Sequence, residues 1–193
     1  MASPLLDKPT QDRRIVQHGR TWRQFKLIQE GFANSPGVRL FYYKGIVEIL
    51  SVGSEHEIFK TLIGLLIETF FVEKGIEFTP TGSMSQEREG EVSVQADESY
   101  CIGDLKPVPD LSIEVVFSSG GPDKLERYRA LGVSEVWFWE DGLFTWYRLG
   151  EQGYERIDQS ELLPDLDINL LARCVLMSSR VEAVREFRKV IAS

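Results

Sequence analysis

Residues 109–117 read Pro-Asp-Leu-Ser-Ile-Glu-Val-Val-Phe, and the alternation within them predicts a β-strand at the centre of the fold. One face would carry the apolar side chains of Leu111, Ile113, Val115 and Phe117, and the other face those of Asp110, Ser112, Glu114 and Val116. An ionised carboxylate that faces inward is costly unless it is paired or coordinates a metal. The alternation equally allows Glu114 to face solvent on a half-exposed antiparallel strand, so both interpretations stay open at this point.

One residue before this strand and one after it indicate a reactive site. Asp97 precedes the strand, and Lys124 follows it in the first turn of a helix predicted over 122–131. Two or three converging carboxylates suit a hard cation such as Mg²⁺, and a nearby amine suits activating a water or steadying a phosphate. The helix macrodipole disfavours a cation in the first turn, which marks Lys124 as a functional candidate. The alternative is that Asp123 and Glu126 simply neutralise it.

Further side chains are candidates for supporting the same site. His56 lies between Glu55 and Glu57 in the first turn of a helix predicted from Ser54, where it could act as a general base or support a cation. Alternatively, the two acids only favour the helix start. For Asp110, a Pro-Asp pair before a strand is often only a turn with a side chain-to-backbone hydrogen bond. If the acids cluster, repulsion should raise the pKa of at least one carboxyl.

The rest of the pattern predicts one domain over residues 21–193, after a polar and partly mobile leader at 1–20. Its predicted elements are a helix over 21–29 capped by Thr21, a hairpin of strands 38–43 and 46–50, a long helix from Ser54 (with Glu57 as capping-box partner) to Gly75, extended pieces around 79–82 and 86–91, a meander at 136–139, 143–149 and 154–157, and helical pieces around 168–176 and 180–191. The aromatic residues of the meander are expected in the core.

Composition narrows the function mainly by exclusion. The 193 residues carry a formal net charge of −8, whereas nucleic-acid-binding proteins usually present a basic surface, so any such surface must be local. There is no apolar run of eighteen residues and no signal-peptide stretch at the N-terminus, so a cytoplasmic protein without a membrane segment is expected. Cys101 and Cys174 lack the spacing of a zinc site. No P-loop, GxSxG, HExxH or GxGxxG motif occurs.

Several short motifs follow one another in a characteristic order: Val38-Arg39-Leu40, Tyr43-Lys44-Gly45, Glu48, Glu55-His56-Glu57, Ala96 to Tyr100, Pro109 to Val115, and Asp123 to Trp137. Together they resemble the Uma-type family of bacterial proteins, which is placed in the PD-(D/E)XK, or restriction-endonuclease-like, nuclease superfamily. The resemblance covers about residues 20–150. It implies an α/β (α+β) fold, in which helices flank a mixed central sheet with a divalent-metal site at its edge.

The superfamily pattern places an Asp on one strand and a Glu-x-Lys on the next. Asp97 and Glu114 are 17 residues apart, which fits this pattern. The resemblance implies that both are metal ligands, helped by the backbone carbonyl of Val115. A valine stands where the lysine belongs, so the resemblance implies that Lys124 is that lysine, moved to the following helix. The alanine before Asp97 also departs from the family, which often has proline there.

The resemblance therefore implies a Mg²⁺- or Mn²⁺-dependent endonuclease that hydrolyses nucleic-acid phosphodiester bonds, with DNA favoured over RNA. Its implied catalytic residues are Asp97, Glu114 and Lys124, and its implied supporting residues are His56, Glu57 and Asp110. One alternative is a catalytically inactive binding or regulatory module that keeps the fold, which the acidic charge and the displaced lysine favour. Another is a small-molecule phosphoesterase, because a fold does not fix its substrate. The exposed edge of the meander also offers a surface for a homodimer.

Overall fold

The computed structural model describes residues 11–117 and 124–192, which form two sheets and five helices. The helices are α1 (Trp22–Gly31), α2 (Ser54–Lys74), α3 (Leu125–Leu131), α4 (Ile168–Val175) and α5 (Arg180–Ile191). The strands are β1 (Arg13–Gln17), β2 (Val38–Tyr43), β3 (Ile46–Ser51), β4 (Phe78–Pro80), β5 (Gln86–Arg88), β6 (Val92–Val94), β7 (Glu98–Ile102), β8 (Leu111–Val116), β9 (Glu135–Glu140), β10 (Leu143–Gly150) and β11 (Gly153–Ile157).

The larger sheet is mixed and contains the strand on which the sequence prediction centres. Its order is β11-β10-β9-β8-β7-β4. Strands β8 and β9 pair in parallel, and the other neighbouring strands of this sheet pair antiparallel. Parallel neighbours need a crossover connection, and α3 lies in the connection between β8 and β9. The predicted fold class, a mixed sheet flanked by helices with an antiparallel meander at β9–β11, is confirmed.

One face of the six-stranded sheet packs against α2, α4 and α5. Ile113 and Val115 of β8 and Trp137 of β9 meet Leu66 of α2 and Phe187 of α5 in this core. The meander tryptophans are buried here, as predicted. Along β8, the odd-numbered residues therefore face the helices, and the even-numbered residues face the other way.

The opposite face of the six-stranded sheet meets α3 and the antiparallel five-stranded sheet, whose order is β1-β3-β2-β6-β5. Val116 and Phe138 pack there against Phe41 of β2 and Tyr128 of α3. Because side chains alternate along a strand, Glu114 shares this face with Val116. It thus points into the space between the two sheets.

Helix α1 covers the outer face of the five-stranded sheet. The residues of this contact include Phe25, Leu40, Tyr42 and Val47. Alternation then puts Arg39, Phe41 and Glu48 on the inner face, toward the six-stranded sheet. The inner face of this small sheet is thus partly charged.

Most helix ends agree with their sequence signals. Thr21 caps α1 through a capping box with Gln24, and α2 ends at Gly75, whose φ of 64° is the left-handed conformation that glycine favours. The predicted capping box at Ser54 is wrong. Gly53 is the N-cap of α2, so Ser54 is already helical.

Part of the predicted polar leader at 1–20 is a β-strand. Residues 13–17 form β1, an edge strand that pairs antiparallel with β3 and leaves most of its side chains exposed. The turn predicted at 118–122 and the helix start predicted at Pro122-Asp123 lie outside the described residues. Within the described ranges, no helix is both long and apolar enough to span a membrane.

Candidate active site

Glu114 lies in the middle of β8 and is buried, with an exposed fraction of 1%. Its Oε2 accepts a 2.7 Å hydrogen bond from Lys124 Nζ, and its Oε1 accepts one from the Tyr128 hydroxyl. Burial raises the pKa of Glu114, Lys124 opposes that effect, and the neighbouring charge of Asp97 adds to it. Of the two interpretations that the alternation left open, the buried and paired one is therefore correct.

Lys124 immediately precedes α3 and is its N-cap residue. Burial alone would lower the pKa of Lys124, but the carboxylates of Glu114 and Asp97 outweigh that effect and raise it. The ammonium Nζ also lies 5.3 Å from the centre of the Phe41 ring. The lysine is thus held as a cation against a helix start that disfavours positive charge.

Asp97 directly precedes β7 and is buried next to β8, the strand that carries Glu114. Its Oδ2 accepts a 2.8 Å hydrogen bond from the backbone N–H of Val115, and its Oδ1 lies 2.7 Å from His56 Nε2. Burial alone would raise the pKa of Asp97, but His56, Lys124 and the Val115 N–H together lower it. Asp97 is therefore an ionised carboxylate with both oxygens bound.

His56, in the first turn of α2, is enclosed between two carboxylates. Its Nδ1 lies 2.9 Å from Asp12 Oδ2, and Asp12 Oδ1 accepts a 2.8 Å hydrogen bond from the backbone N–H of Gly53. Burial alone would lower the pKa of His56, but its bonds to Asp12 and Asp97 raise it to about 9. At neutral pH the ring is an imidazolium, which is hydrogen-bonded to Asp12 through Nδ1 and ion-paired with Asp97 through Nε2.

We expect this imidazolium to make stability fall at alkaline pH. Because the folded pKa of about 9 exceeds the ordinary value of 6.5, the stabilisation is complete below pH 6.5 and is lost as the pH rises through 9. The shift corresponds to on the order of 3 kcal/mol. Urea unfolding of wild type and His56→Gln at pH 7 and 9 measures this loss, which only wild type should show.

His18→Gln is the matched control, because His18 is exposed. It should lose stability between pH 7 and 9 as wild type does. Burial also raises the pKa of Glu98 to about 7, so Glu98 adds its own pH dependence to every variant. The test is therefore the difference in stability loss between His56→Gln and His18→Gln. An equal loss in His56→Gln would mean that His56 is not the group responsible.

A third buried carboxylate, Glu48, lies on the five-stranded sheet. Glu48 accepts hydrogen bonds from Arg14 Nε at 2.9 Å, Arg14 Nη2 at 3.1 Å and Arg127 Nη2 at 2.7 Å. Burial alone would raise the pKa of Glu48, but the two arginines lower it to about 2, helped by the charge of Lys124. We refer to the following residues as the charged cluster: Asp12, Arg14, Glu48, His56, Asp97, Glu114, Lys124, Arg127 and Tyr128.

Two of the predicted supporting residues have partners outside the charged cluster. Asp110 Oδ2 accepts bonds from the Ile102 N–H at 2.7 Å and from Lys106 Nζ at 2.6 Å. It lies four residues along β8 from Glu114, about 13 Å in an extended strand. Glu57 is partly exposed and contacts Arg39 at 3.4 Å. The structure brings Asp97, Glu114, Lys124 and His56 together and leaves Asp110 apart.

The pair Asp97 and Glu114 is chemically suited to a hard divalent cation. Mg²⁺ is commonly bound by one or two carboxylates, with waters and phosphate oxygens completing its shell. Within residues 11–117 and 124–192, no group of three or more His, Cys, Asp and Glu side chains is arranged to hold a metal. Each carboxylate oxygen of the pair already has a protein partner, so a cation would either share an oxygen with that partner or replace it.

Several members of the charged cluster were not among the predicted site residues. Glu48 had a usable signal, since it is an acid between Val47 and Ile49 in mid-strand, the same pattern as Glu114. Tyr128 lies four residues after Lys124, which puts both on one side of a helix start. Asp12 had none, because it contacts a residue 44 positions away.

Comparison with known proteins gives a family and solved structures of similar fold. A family model described as "Uma2: Putative restriction endonuclease" matches residues 22–175. No curated protein matches the chain. A crystal structure from Anabaena variabilis ATCC 29413, described as "a putative nuclease belonging to DUF820", is similar with a TM-score of 0.50 and 17% sequence identity. The match covers 77% of this chain and 90% of that one, and at this identity it shows a shared fold alone.

Proposed function

The chain belongs to the Uma2 family of restriction-endonuclease type, and from that premise we propose that it is a divalent-metal-dependent endonuclease that hydrolyses phosphodiester bonds of nucleic acid. The observation that carries the proposal is the meeting of Asp97 and Glu114, two buried carboxylates from different parts of one sheet, with the ammonium of Lys124. Such a set is costly to bury and is typical of sites that do chemistry.

In this proposal Asp97 and Glu114 hold Mg²⁺ or Mn²⁺, with the carbonyl of Val115 as a further ligand. When bound, the cation polarises the scissile phosphate and lowers the pKa of the attacking water. The hydrogen bond from the Val115 N–H keeps Asp97 oriented, and the Tyr128 hydroxyl does the same for Glu114. His56 keeps the Asp97 carboxylate ionised in a buried setting.

Lys124 has a second part in the proposal. Its ammonium neutralises Glu114 while no cation is bound, and a carboxylate that turns to a cation would leave the ammonium available. In that position it orients the attacking water or stabilises the negative charge that develops on the phosphorus oxygens. The helix start supports this role because α3 holds Lys124 in a fixed place beside β8.

We expect Lys124→Met to slow cleavage by about 100- to 1,000-fold, since removal of one preorganised donor typically costs that much. Supercoiled plasmid, linear duplex, single-stranded DNA and RNA, each with Mg²⁺ or Mn²⁺, measure the rate. Lys106→Met is the control, because Lys106 is an exposed lysine paired with Asp110. Cleavage by Lys124→Met at the wild-type rate would contradict the assignment.

The same panel tests the finer proposals. DNA cleaved faster than RNA would agree with the proposed preference, and turnover of a simple phosphodiester without cleavage of any nucleic acid would indicate a small-molecule phosphoesterase.

Strand β11 is an edge of the larger sheet, so we place the proposed homodimer contact there. Sedimentation of wild type and of a variant with a proline in β11 tests that contact.

The second candidate is an inactive binding or regulatory module. One observation favours it, namely that each oxygen of Asp97 and Glu114 is hydrogen-bonded or ion-paired within the protein and that Lys124 and His56 balance their charges. A site of this kind is stable without a metal. The two candidates differ in whether the protein takes up a divalent cation at this pair.

A further inference from the structure

Two buried guanidinium groups near the candidate site have N–H donors without a partner. Within the described part of the chain, Arg39 Nε and Arg127 Nη1 are buried and make no hydrogen bond. Buried donors of this kind are uncommon, and they call for an acceptor such as a ligand or an ordered water. Arg39 is 9% exposed, so the bulk of its side chain lies inside the protein.

Both arginines lie on the inner side of the five-stranded sheet, next to the proposed catalytic lysine. Arg39 and Phe41 share one face of β2, since they are two residues apart. The guanidinium carbon of Arg127 lies 5.5 Å from the centre of the Phe41 ring, and Lys124 Nζ lies 5.3 Å from it. Two cationic groups, those of Lys124 and Arg127, therefore lie beside one aromatic ring, and Arg39 lies on the same face of β2.

The acids around these arginines do not satisfy the two donors. Glu48 is already shared between Arg14 and Arg127, and Arg39 has only a long 3.4 Å contact to Glu57. These arginines and acids reach solvent at the side chains of Arg14, which is 32% exposed, and Glu57, which is 41% exposed. Because Arg39 Nε and Arg127 Nη1 are themselves covered, an anion would reach these unpaired donors from that exposed edge once the side chains there move aside.

We propose that Arg39 and Arg127 bind phosphate groups of the nucleic-acid backbone next to the bond to be cleaved. Guanidinium donors suit phosphate oxygens, which accept charge-assisted hydrogen bonds. This inference rests on the proposed function and names the residues that would hold the substrate. On a chain of net charge −8, these two arginines would supply directed donors for a polyanion, while the nearby carboxylates of Glu48 and Glu57 balance their charge.

The test is the salt dependence of binding to a fluorescein-labelled 20-base-pair DNA duplex, followed by fluorescence anisotropy with and without Mn²⁺. We expect Arg39→Gln and Arg127→Gln each to weaken binding about 10-fold at low salt and to reduce the slope of log K against log salt by about 1. Arg129→Gln is the matched control, because Arg129 is exposed and pairs with Glu126 on the surface of α3.

Arg39→Gln keeps the test valid if Arg127→Gln unfolds, because Arg39 gives up only its long contact to Glu57. An affinity and slope equal to those of Arg129→Gln would overturn the inference, as would a wild type that does not bind the duplex. The two proposals can fail separately. Wild type that binds but never cleaves, with a reduced slope in Arg39→Gln, supports the phosphate contacts and refutes the nuclease.

Discussion

Replacing Glu114 by glutamine is expected to abolish metal-dependent cleavage and to destabilise the protein in the same step. The amide cannot act as an anionic ligand, so we expect a loss of at least about 1,000-fold in rate. It also leaves the buried ammonium of Lys124 without its partner, and breaking a buried ion pair from one side typically costs about 3–5 kcal/mol. Urea unfolding and plasmid cleavage on the same samples measure both effects.

The double variant Glu114→Gln/Lys124→Met separates the two effects. It removes both charges and keeps similar volumes, so we expect it to recover much of the stability lost in the single variant. Its activity should stay lost, because the ligand and the amine are both gone. Glu126→Gln is the control, since Glu126 is an exposed acid of α3. A double variant that regains cleavage would show that Glu114 has only a structural role.

The second large effect is expected away from the candidate site, at Glu135 of β9. This buried carboxylate accepts four hydrogen bonds: Trp137 Nε1 at 3.0 Å, Ser160 Oγ at 2.7 Å, and the backbone N–H groups of Glu161 at 2.7 Å and Leu162 at 3.1 Å. It ties the loop after β11 to the sheet. Glu135→Ala strands four donors, so we expect a loss of about 4 kcal/mol in the free energy of unfolding.

The control for this prediction lies on the same strand. Glu140 is exposed at the end of β9, and Glu140→Ala should change the free energy of unfolding by less than about 0.5 kcal/mol. Glu135→Gln should fall between the two, because its amide oxygen can still accept from the backbone N–H groups. If Glu135→Ala lowers the free energy of unfolding no more than Glu140→Ala does, the four hydrogen bonds of Glu135 do not stabilise the protein as we expect.

The elements that the sequence predicts well are those with local signals. The alternation over 111–116, the glycine that ends α2 and the meander turns each depend on neighbouring residues only. The alternation leaves open whether Glu114 is buried or exposed, and it predicts only that an inward-facing Glu114 needs a partner. Local patterns therefore predict the strand and mark Lys124 as a candidate, and the structure shows that Lys124 is the partner of Glu114.

The parts that the sequence does not predict depend on distant contacts. Asp12 reaches His56 only because β1 pairs with β3, and no pattern within the first 20 residues announces that pairing. Asp110 is a different case, because its partners are local. It shares the polar face of β8 with Glu114, but the backbone N–H of Ile102 and the ammonium of Lys106 satisfy it locally. Two acids in the same alternating pattern can therefore lie at different distances from the candidate site.

The central claim is that Asp97 and Glu114 form a divalent-cation site, and calorimetric titration of Mn²⁺ tests it most directly. Wild type, Asp97→Asn and Asp110→Asn are titrated at one pH. The proposal predicts that wild type and Asp110→Asn bind Mn²⁺ alike, whereas Asp97→Asn does not bind. Absence of Mn²⁺ binding by wild type, or equal binding by Asp97→Asn, would contradict the claim and favour the module whose charges Lys124 and His56 already balance.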